Sequence, residues 1–432
     1  MQTLVQLSSG ELQGATTLKL SEGLTEFPLE IFSLAETLEY LDLSGNQLCR
    51  LPDDFGRLSK LRVFFASDNL FTSLPDVLSD CPVLSIAGFK SNQIEHIGPA
   101  AINANLKWLI LTNNRITDLP SSIGDCVHLQ KLMLAGNQLT ALPESLVNCR
   151  NLALLRISAN RLDHLPQWLI SMPGLAWLAF SGNEIQQNAT DFPDLATIDV
   201  EQITLMNMLG EGASGTIYRA SLLVADLLQD AAVKIFKGNV TSDGYPQDEM
   251  RAYIAAGAHP AIVKLLGKIH FSHEDRNGVV MELIPQEFFN LGRPPSLDSC
   301  TRDIFEDEVT LSAQQLLEIA KRIADVGLHL HSKGIIHGDL YAHNILVDPS
   351  GKTLFGDFGA ASFYNRSNDE TAFSLERIEV KAYGYLLDDL LSITRDEFEA
   401  YQAVCLIRDR CLAINQNDRP GFKQIVKELG VL

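Results

Sequence analysis

A glycine-rich stretch, Gly210-Glu211-Gly212-Ala213-Ser214-Gly215-Thr216-Ile217-Tyr218, precedes Ala232-Val233-Lys234. Glycines let backbone N–H groups approach phosphates without side-chain collision. An apolar residue on the strand after the loop, here Ile217, can cover a base, and a lysine from the next strand can reach the phosphates. The chemistry that such a loop and lysine serve is the holding of a nucleotide polyphosphate. Farther along stand Asp339 and Asn344, five residues apart, and then Asp357-Phe358-Gly359.

These groups need elements to hold them. Gln202–Leu209 reads as a strand entering the loop. A dinucleotide-binding reading of the same glycines wants them to open a helix, with an acidic residue about 20 positions on. Here β-prone residues follow and position 234 is a lysine, so strand–loop–strand is favoured. Ile335-Ile336-His337-Gly338-Asp339-Leu340-Tyr341-Ala342-His343-Asn344-Ile345-Leu346-Val347 precedes Phe355-Gly356-Asp357-Phe358-Gly359. In this order, behind the glycine loop and Lys234, the set resembles the catalytic core of protein kinases. His259-Pro260-Ala261-Ile262-Val263 resembles the segment after helix C. Val279-Val280-Met281-Glu282-Leu283 resembles the hinge strand, with Met281 as gatekeeper, and Asn417-Asp418-Arg419-Pro420 resembles the late arginine motif. The resemblance covers residues 203–432.

The resemblance implies a compact bilobal α+β fold that uses ATP and Mg²⁺. It implies a nucleotide site made of Leu209, Gly210, Glu211, Gly212, Ala213, Ser214, Gly215, Thr216 and Ile217, with Lys234 and the hinge residues Glu282, Leu283 and Ile284. Asp339 would orient the acceptor hydroxyl and take its proton. Asn344 and Asp357 would hold Mg²⁺, and Lys234 would contact the α and β phosphates. Glu249, ten residues before His259, would pair with Lys234; Asp248 is the alternative. Such roles suit phosphoryl transfer, which needs charge neutralisation and in-line placement more than covalent help. His337 reads as a packing residue that braces the loop, and His343 has no assigned role.

Three departures stand out. Gly338 replaces the arginine that usually precedes the catalytic aspartate and binds a phosphorylated loop. Tyr341 stands where many serine/threonine kinases carry a lysine. The stretch after Asp357 is short, with a helix expected from about Ile378, Glu379 in place of the common aspartate, and Glu376 as a candidate partner for Arg419. The expected function is an ATP- and Mg²⁺-dependent protein kinase acting on serine or threonine hydroxyls. The alternatives are a small-molecule kinase, on the His-Gly-Asp element, and a nucleotide-binding pseudokinase scaffold.

The first half is periodic. Asn46, Asn69, Asn92, Asn114, Asn137, Asn160 and Asn183 recur at gaps of 23, 23, 22, 23, 23 and 23 residues. Each sits in a frame LxxLxLxxNxLxxLP, as in Leu106, Leu109, Leu111, Asn114, Ile116, Leu119, Pro120. An earlier copy around Leu18, Leu20, Leu24, Phe27 and Pro28 lacks the asparagine, as a capping copy can. The LxL core alternates with period two and predicts one short strand per copy. Stacked copies would form a parallel sheet over a shared core. The asparagine amide would turn inward to bond backbone groups left unpaired as the chain leaves each strand. This pattern is similar to the leucine-rich repeat family, so the chain reads as an α/β solenoid followed by a kinase-like fold. The boundaries are 1–192 for the solenoid (about eight repeats plus caps), 193–202 for a linker and 203–432 for the kinase-like domain. Solenoids offer concave faces to other proteins, and here the variable strand positions are Glu39, Tyr40, Asp42, Arg62, Phe65, Lys90, Lys107, Trp108, Lys131, Arg156, Trp177 and Phe180.

Composition narrows the rest. Among 432 residues, 54 acidic against 34 basic give a formal charge of −20, which argues against a nucleic-acid binder. No stretch approaches 18 uninterrupted apolar residues, so no membrane span is expected. The seven cysteines form no CxxC pair, which speaks against a zinc site or disulfide framework and for a reducing cytoplasm. Cys81, Cys126 and Cys149 each precede a repeat leucine by three and read as buried repeat positions.

Overall fold

The repeat leucines do what their spacing requires. In a computed structural model, which describes residues 2–185, 195–212, 214–236, 240–271, 277–395 and 399–432, each copy contributes one three-residue strand. The chain divides into two units, Met1–Gly174 and Leu175–Leu432.

In the first unit, strands Thr17–Lys19, Tyr40–Asp42, Val63–Phe65, Ile86–Gly88, Trp108–Ile110, Lys131–Met133 and Leu154–Arg156 pair in parallel in that order. Their central residues, such as Leu41, Leu109 and Leu132, lie opposite one another and are fully buried. The chain returns through short 3₁₀ turns, such as Ser121–Asp125 and Glu144–Asn148, each entered from a proline. A 23-residue period leaves room for little more. The helix Leu4–Ser8 covers the first copy, with a reciprocal Thr3–Gln6 capping box.

The asparagine ladder forms. Asn114 Nδ2 donates to the carbonyls of Phe89 (2.9 Å) and Leu111 (3.0 Å), and its Oδ1 accepts from Ile94 N at 3.0 Å. Asn137, one copy on, and Asn69, two copies back, repeat the pattern. Cys81, Cys126 and Cys149 are buried, and burial pushes their thiols up to about 12, 12 and 11. They are therefore inert packing thiols at neutral pH.

The second unit opens on the strand Trp177–Ala179, which belongs by sequence to the last repeat copy. A six-stranded sheet follows, in the order Thr197–Asp199, Leu265–His270, Gly278–Glu282, Leu227–Phe236, Gly215–Val224, Ile203–Glu211. The stretch 193–202 thus supplies an edge strand, Thr197–Asp199, parallel to Leu265–His270. The helix Pro246–Ala256 begins on a proline and ends at Gly257 (φ 64°). Below this sheet, the helix Ala313–Ser332 buries the ridge Leu316, Ile319, Ala320, Ile323, Ala324. The helix Asp369–Ser392 runs beside it, and Tyr401–Cys411 and Phe422–Leu429 complete the helical part. Among the described residues, no helix is long and apolar enough to cross a membrane.

Candidate active site

The glycine loop joins two antiparallel strands, Ile203–Glu211 and Gly215–Val224, and Gly212 N closes it on Gly215 O at 2.9 Å. A Cβ at Gly210 or Gly212 would meet nothing within 4 Å, whereas one at Gly215 would lie 2.5 Å from Ile235 O. Close approach of the next strand therefore demands Gly215, and the first two glycines border open space. Leu209 is exposed, Gly210 half-buried, Glu211 and Gly212 exposed, Ser214, Thr216 and Ile217 half-buried. Ala213 lies outside the described residues.

Register sets the lysine. Ile217 pairs with Lys234, and Lys234 with Val279, so one strand carries Lys234 between the glycine strand and the hinge strand. Glu282 ends that hinge strand, and its N–H donates to Lys264 O. Leu283 and Ile284 follow and line a cavity of about 440 Å³ with His259, Lys264 and Phe288. That cavity takes in none of Lys234, Glu249, Asp339, Asn344 or Asp357. It is therefore not where these groups meet.

Lys234 Nζ donates to Glu249 Oε1 in a closed ion pair, with both side chains buried. Burial pushes the Glu249 carboxyl up, and Lys234 opposes the shift. The alternative partner, Asp248, bridges instead to Arg251 at 3.6 Å. One turn on from Glu249, Tyr253 stacks on Phe358 (4.8 Å, 12°) and donates to Val263 O at 2.6 Å.

The second loop is tied together by backbone. Asn344 Nδ2 donates to Asp339 Oδ2 at 2.8 Å and to Asp339 O at 2.9 Å. Gly356 N donates to Asn344 O at 3.3 Å, which sets Asp357 beside that loop. Asp357 takes a left-handed conformation (φ 56°), and its charge reaches Glu249. His337 is fully buried, donates from Nε2 to Gly356 O at 3.1 Å, and stacks on Phe355. Burial holds its imidazole below the ordinary value, so it is a neutral brace.

Glu379 anchors this floor. Its carboxylate accepts from Gly338 N at 2.9 Å and lies 2.8 Å from His331 Nε2. Burial alone would raise its pKa, but these hydrogen bonds and the nearby histidines hold it below the usual carboxylate range. The Glu379 carboxylate thus ties Gly338 to His331.

Two expectations need correction. The helix expected from about Ile378 starts at Asp369, nine residues earlier, capped by Asn368 accepting from Thr371 N. Only eleven residues, 358–368, separate Asp357 from it. Trp177 and Phe180, expected on an open concave face, are each 1% exposed. Trp177 Nε1 donates to Leu340 O at 3.0 Å, and Phe180 N donates to Ser362 Oγ at 2.9 Å. Lys131 and Arg156 are also buried, whereas Glu39, Arg62 and Lys107 are exposed. Arg419 donates to the carbonyls of Ala413, Arg377 and Ile414, while Glu376 pairs with Arg377 and accepts from Phe422 N.

Sequence reasoning missed two further contacts. His343 lies 2.8 Å from Asp303, which also accepts from His343 N at 3.0 Å. Arg302 pairs with Asp388 and Asp389 and lies over Tyr385. Burial pushes Asp389 up to about 6 against the pull of Arg302. These pairs join residues 40 to 87 positions apart, so no local spacing announces them.

Comparison with known proteins agrees with this geometry. Residues 203–383 match the family described as protein tyrosine and serine/threonine kinase. Residues 37–58, 104–144 and 127–185 match leucine-rich repeat families. The chain is 29% identical over 167 residues to the serine/threonine-protein kinase PITSLRE of Drosophila melanogaster, covering 38% of this chain and 16% of that protein. It is 30% identical over 174 residues to the angiopoietin-1 receptor of Danio rerio, covering 39% of this chain and 15% of that protein. The chain thus spans about one-sixth of the length of these relatives. With the asparagine ladder ahead of it and the Lys234–Glu249 pair within it, the matched region makes this chain a fusion of leucine-rich repeats to a domain of the protein tyrosine and serine/threonine kinase type.

Proposed function

We propose that the chain is an ATP- and Mg²⁺-dependent protein kinase that acts on serine or threonine hydroxyls, with repeats that recruit its partner or substrate. The observation that carries this reading is the closed, buried Lys234–Glu249 pair, with Asp357 close enough to act on Glu249 electrostatically. A buried lysine is worth holding in place when it must meet a phosphate. The donor set fits the metal: Asn344 and Asp357 offer oxygen ligands, which Mg²⁺ prefers. When bound, Mg²⁺ would neutralise phosphate charge.

This chain's own residues would do the rest. Lys234, oriented by Glu249, would hold the α and β phosphates. Asn344 Nδ2, donating to Asp339 Oδ2, fixes the carboxylate that faces the acceptor. Asp339 would take the hydroxyl proton as the acceptor oxygen bonds to the γ-phosphorus and the bond to the bridging oxygen breaks. The buried rings of His337, Phe355 and Phe358 pack together beneath the Asp357 loop, and His337 also bonds Gly356 O. The exposed strand positions Glu39, Arg62 and Lys107, with half-buried Tyr40, Phe65 and Trp108, suit a protein partner. We place the chain in the cytoplasm on its seven cysteines, which form no CxxC pair.

Radiolabel transfer from ATP by the wild type and by Asp339→Ala tests the assignment. Loss in the variant is expected, and equal incorporation would remove Asp339 from its role. Nucleotide binding without turnover in the wild type would instead favour the pseudokinase scaffold. Transfer to metabolites but not to protein would favour a small-molecule acceptor. Phosphoamino-acid analysis tests the hydroxyl class: label on tyrosine alone overturns the serine/threonine assignment.

A further inference from the structure

The strand Trp177–Ala179 lies against the loop that carries Asp339, and four contacts hold it there. Trp177 Nε1 donates at 3.0 Å to the carbonyl of Leu340, the residue next to Asp339. The Trp177 indole stacks on Tyr341 at 4.3 Å, with the planes 6° apart, and on Tyr385 at 5.3 Å and 17°. Phe180 N donates to Ser362 Oγ, and Ser362 pairs with Ile336 in a small antiparallel sheet. At Gly338 the approach is tighter still. A Cβ there would lie 2.6 Å from Leu178 O and 2.8 Å from Ala360 O, and the backbone is left-handed at φ 73°. Any side chain at position 338 and this strand are therefore mutually exclusive. The glycine before Asp339 is the counterpart of the strand that presses on it.

We propose that Trp177 is a positioning residue for phosphoryl transfer. Its strand staples the loop Gly338–Tyr341 to the short stretch after Asp357, and so holds Asp339 in working geometry without phosphorylation of that stretch. The inference rests on the kinase reading above. Its physical logic is that of placement. A hydrogen bond to Leu340 O and a ring stack on Tyr341 act within two residues of the proton acceptor, where a displacement of one ångström costs heavily in rate. Among the described residues, the hydrogen bond and ring stacks of Trp177 go to Leu340, Tyr341 and Tyr385 and not to the glycine loop, Lys234 or the hinge, so nucleotide binding should not depend on it.

The test compares wild type, Trp177→Phe and Trp177→Ala, all in the full chain and after phosphatase treatment. Phenylalanine keeps a smaller ring to stack and removes the N–H donor, whereas alanine removes both. Phosphatase-treated wild type should retain its rate. In Trp177→Phe, kcat should fall about 3- to 10-fold with KM for Mg–ATP unchanged, and in Trp177→Ala it should fall on the order of 10- to 100-fold. Amide hydrogen exchange over residues 338–344 should quicken in both variants. A kcat within twofold of wild type in both variants overturns the proposal, as does a wild type that loses its activity with the phosphatase. Should Trp177→Ala fail to fold, the phenylalanine variant decides. Should the wild type transfer no phosphate at all, the kinase reading falls. The staple is then judged by exchange alone, and unchanged protection at 338–344 in Trp177→Phe overturns it.

Discussion

The Lys234–Glu249 pair is a buried pair of charges in the second unit, in which Glu249 has almost no water to fall back on. Removing one charge from such a pair strands the other, which costs about 3–5 kcal/mol when burial is complete. Lys234 keeps a little exposure, so Glu249→Gln should cost less, about 2–3 kcal/mol of stability. The same change should lower phosphate transfer at least roughly tenfold, because a misdirected ammonium no longer meets its phosphates. Chemical denaturation and steady-state kinetics on one preparation check both halves. His343 offers a second residue-scale outcome. Burial would lower its pKa, but the Asp303 carboxylate wins and raises it above the ordinary histidine value of 6.5. A folded-state pKa above the unfolded one adds stability that is whole below pH 6.5 and fades as the pH climbs through the folded value. Asp303→Asn should therefore cost about 1–2 kcal/mol at pH 5.5 and clearly less at pH 8.5. Urea titrations at the two pH values measure the difference, and an equal cost at both would mean that the proton plays no part.

At the scale of elements, the repeat strands are too short to stand alone, and the asparagines supply what their ladders omit. Asn114→Ala would leave Ile94 N and the carbonyls of Phe89 and Leu111 without that partner in a dry interior. Each buried polar group left unmet costs about 1–3 kcal/mol, and partial relaxation should bring the total to about 3 kcal/mol, read as a lower urea midpoint. That ladder was legible in the sequence because a fixed period can only mean a repeated backbone geometry. The pairing of Lys234 with Glu249 was legible only through the kinase resemblance, which left Asp248 as the alternative until the helix Pro246–Ala256 turned Glu249 to the lysine. Other features were hidden for physical reasons. Trp177 sits in a repeat frame like its neighbours, and nothing local says that an indole there faces Leu340 rather than solvent. Arg302 and Asp303 find partners across 40 to 87 residues of chain, beyond any local pattern. The early start of the helix at Asp369 did carry a signal. Asn368 followed by Asp369 and Glu370 is a helix start, with a capping side chain and acidic residues against the positive end of the dipole.

For the whole molecule, a net charge of −20 sets the terms on which a triphosphate could be held. Asp357 acts electrostatically on Glu249, the partner of Lys234, and in the proposed site one ammonium group could not offset the Asp339 and Asp357 carboxylates and a polyphosphate. On the proposed function the metal would therefore arrive with the nucleotide, and ATP stripped of Mg²⁺ should bind far more weakly than Mg–ATP. Ligand that binds only the folded chain stabilises it by about 2.7 kcal/mol at a concentration 100 times Kd. For a unit of this size that corresponds to a rise of about 5–10 °C in the unfolding midpoint. Thermal scans should show that rise with Mg–ATP, little of it with ATP and a chelator, and none with Lys234→Ala. High salt should narrow the gap between the metal-bound and metal-free nucleotide, because screening weakens the repulsion that the metal otherwise offsets. A midpoint that climbs equally with and without Mg²⁺ would mean that the acidic residues do not face the phosphates. The roles given to Asn344 and Asp357 would then have to be withdrawn, even with nucleotide bound.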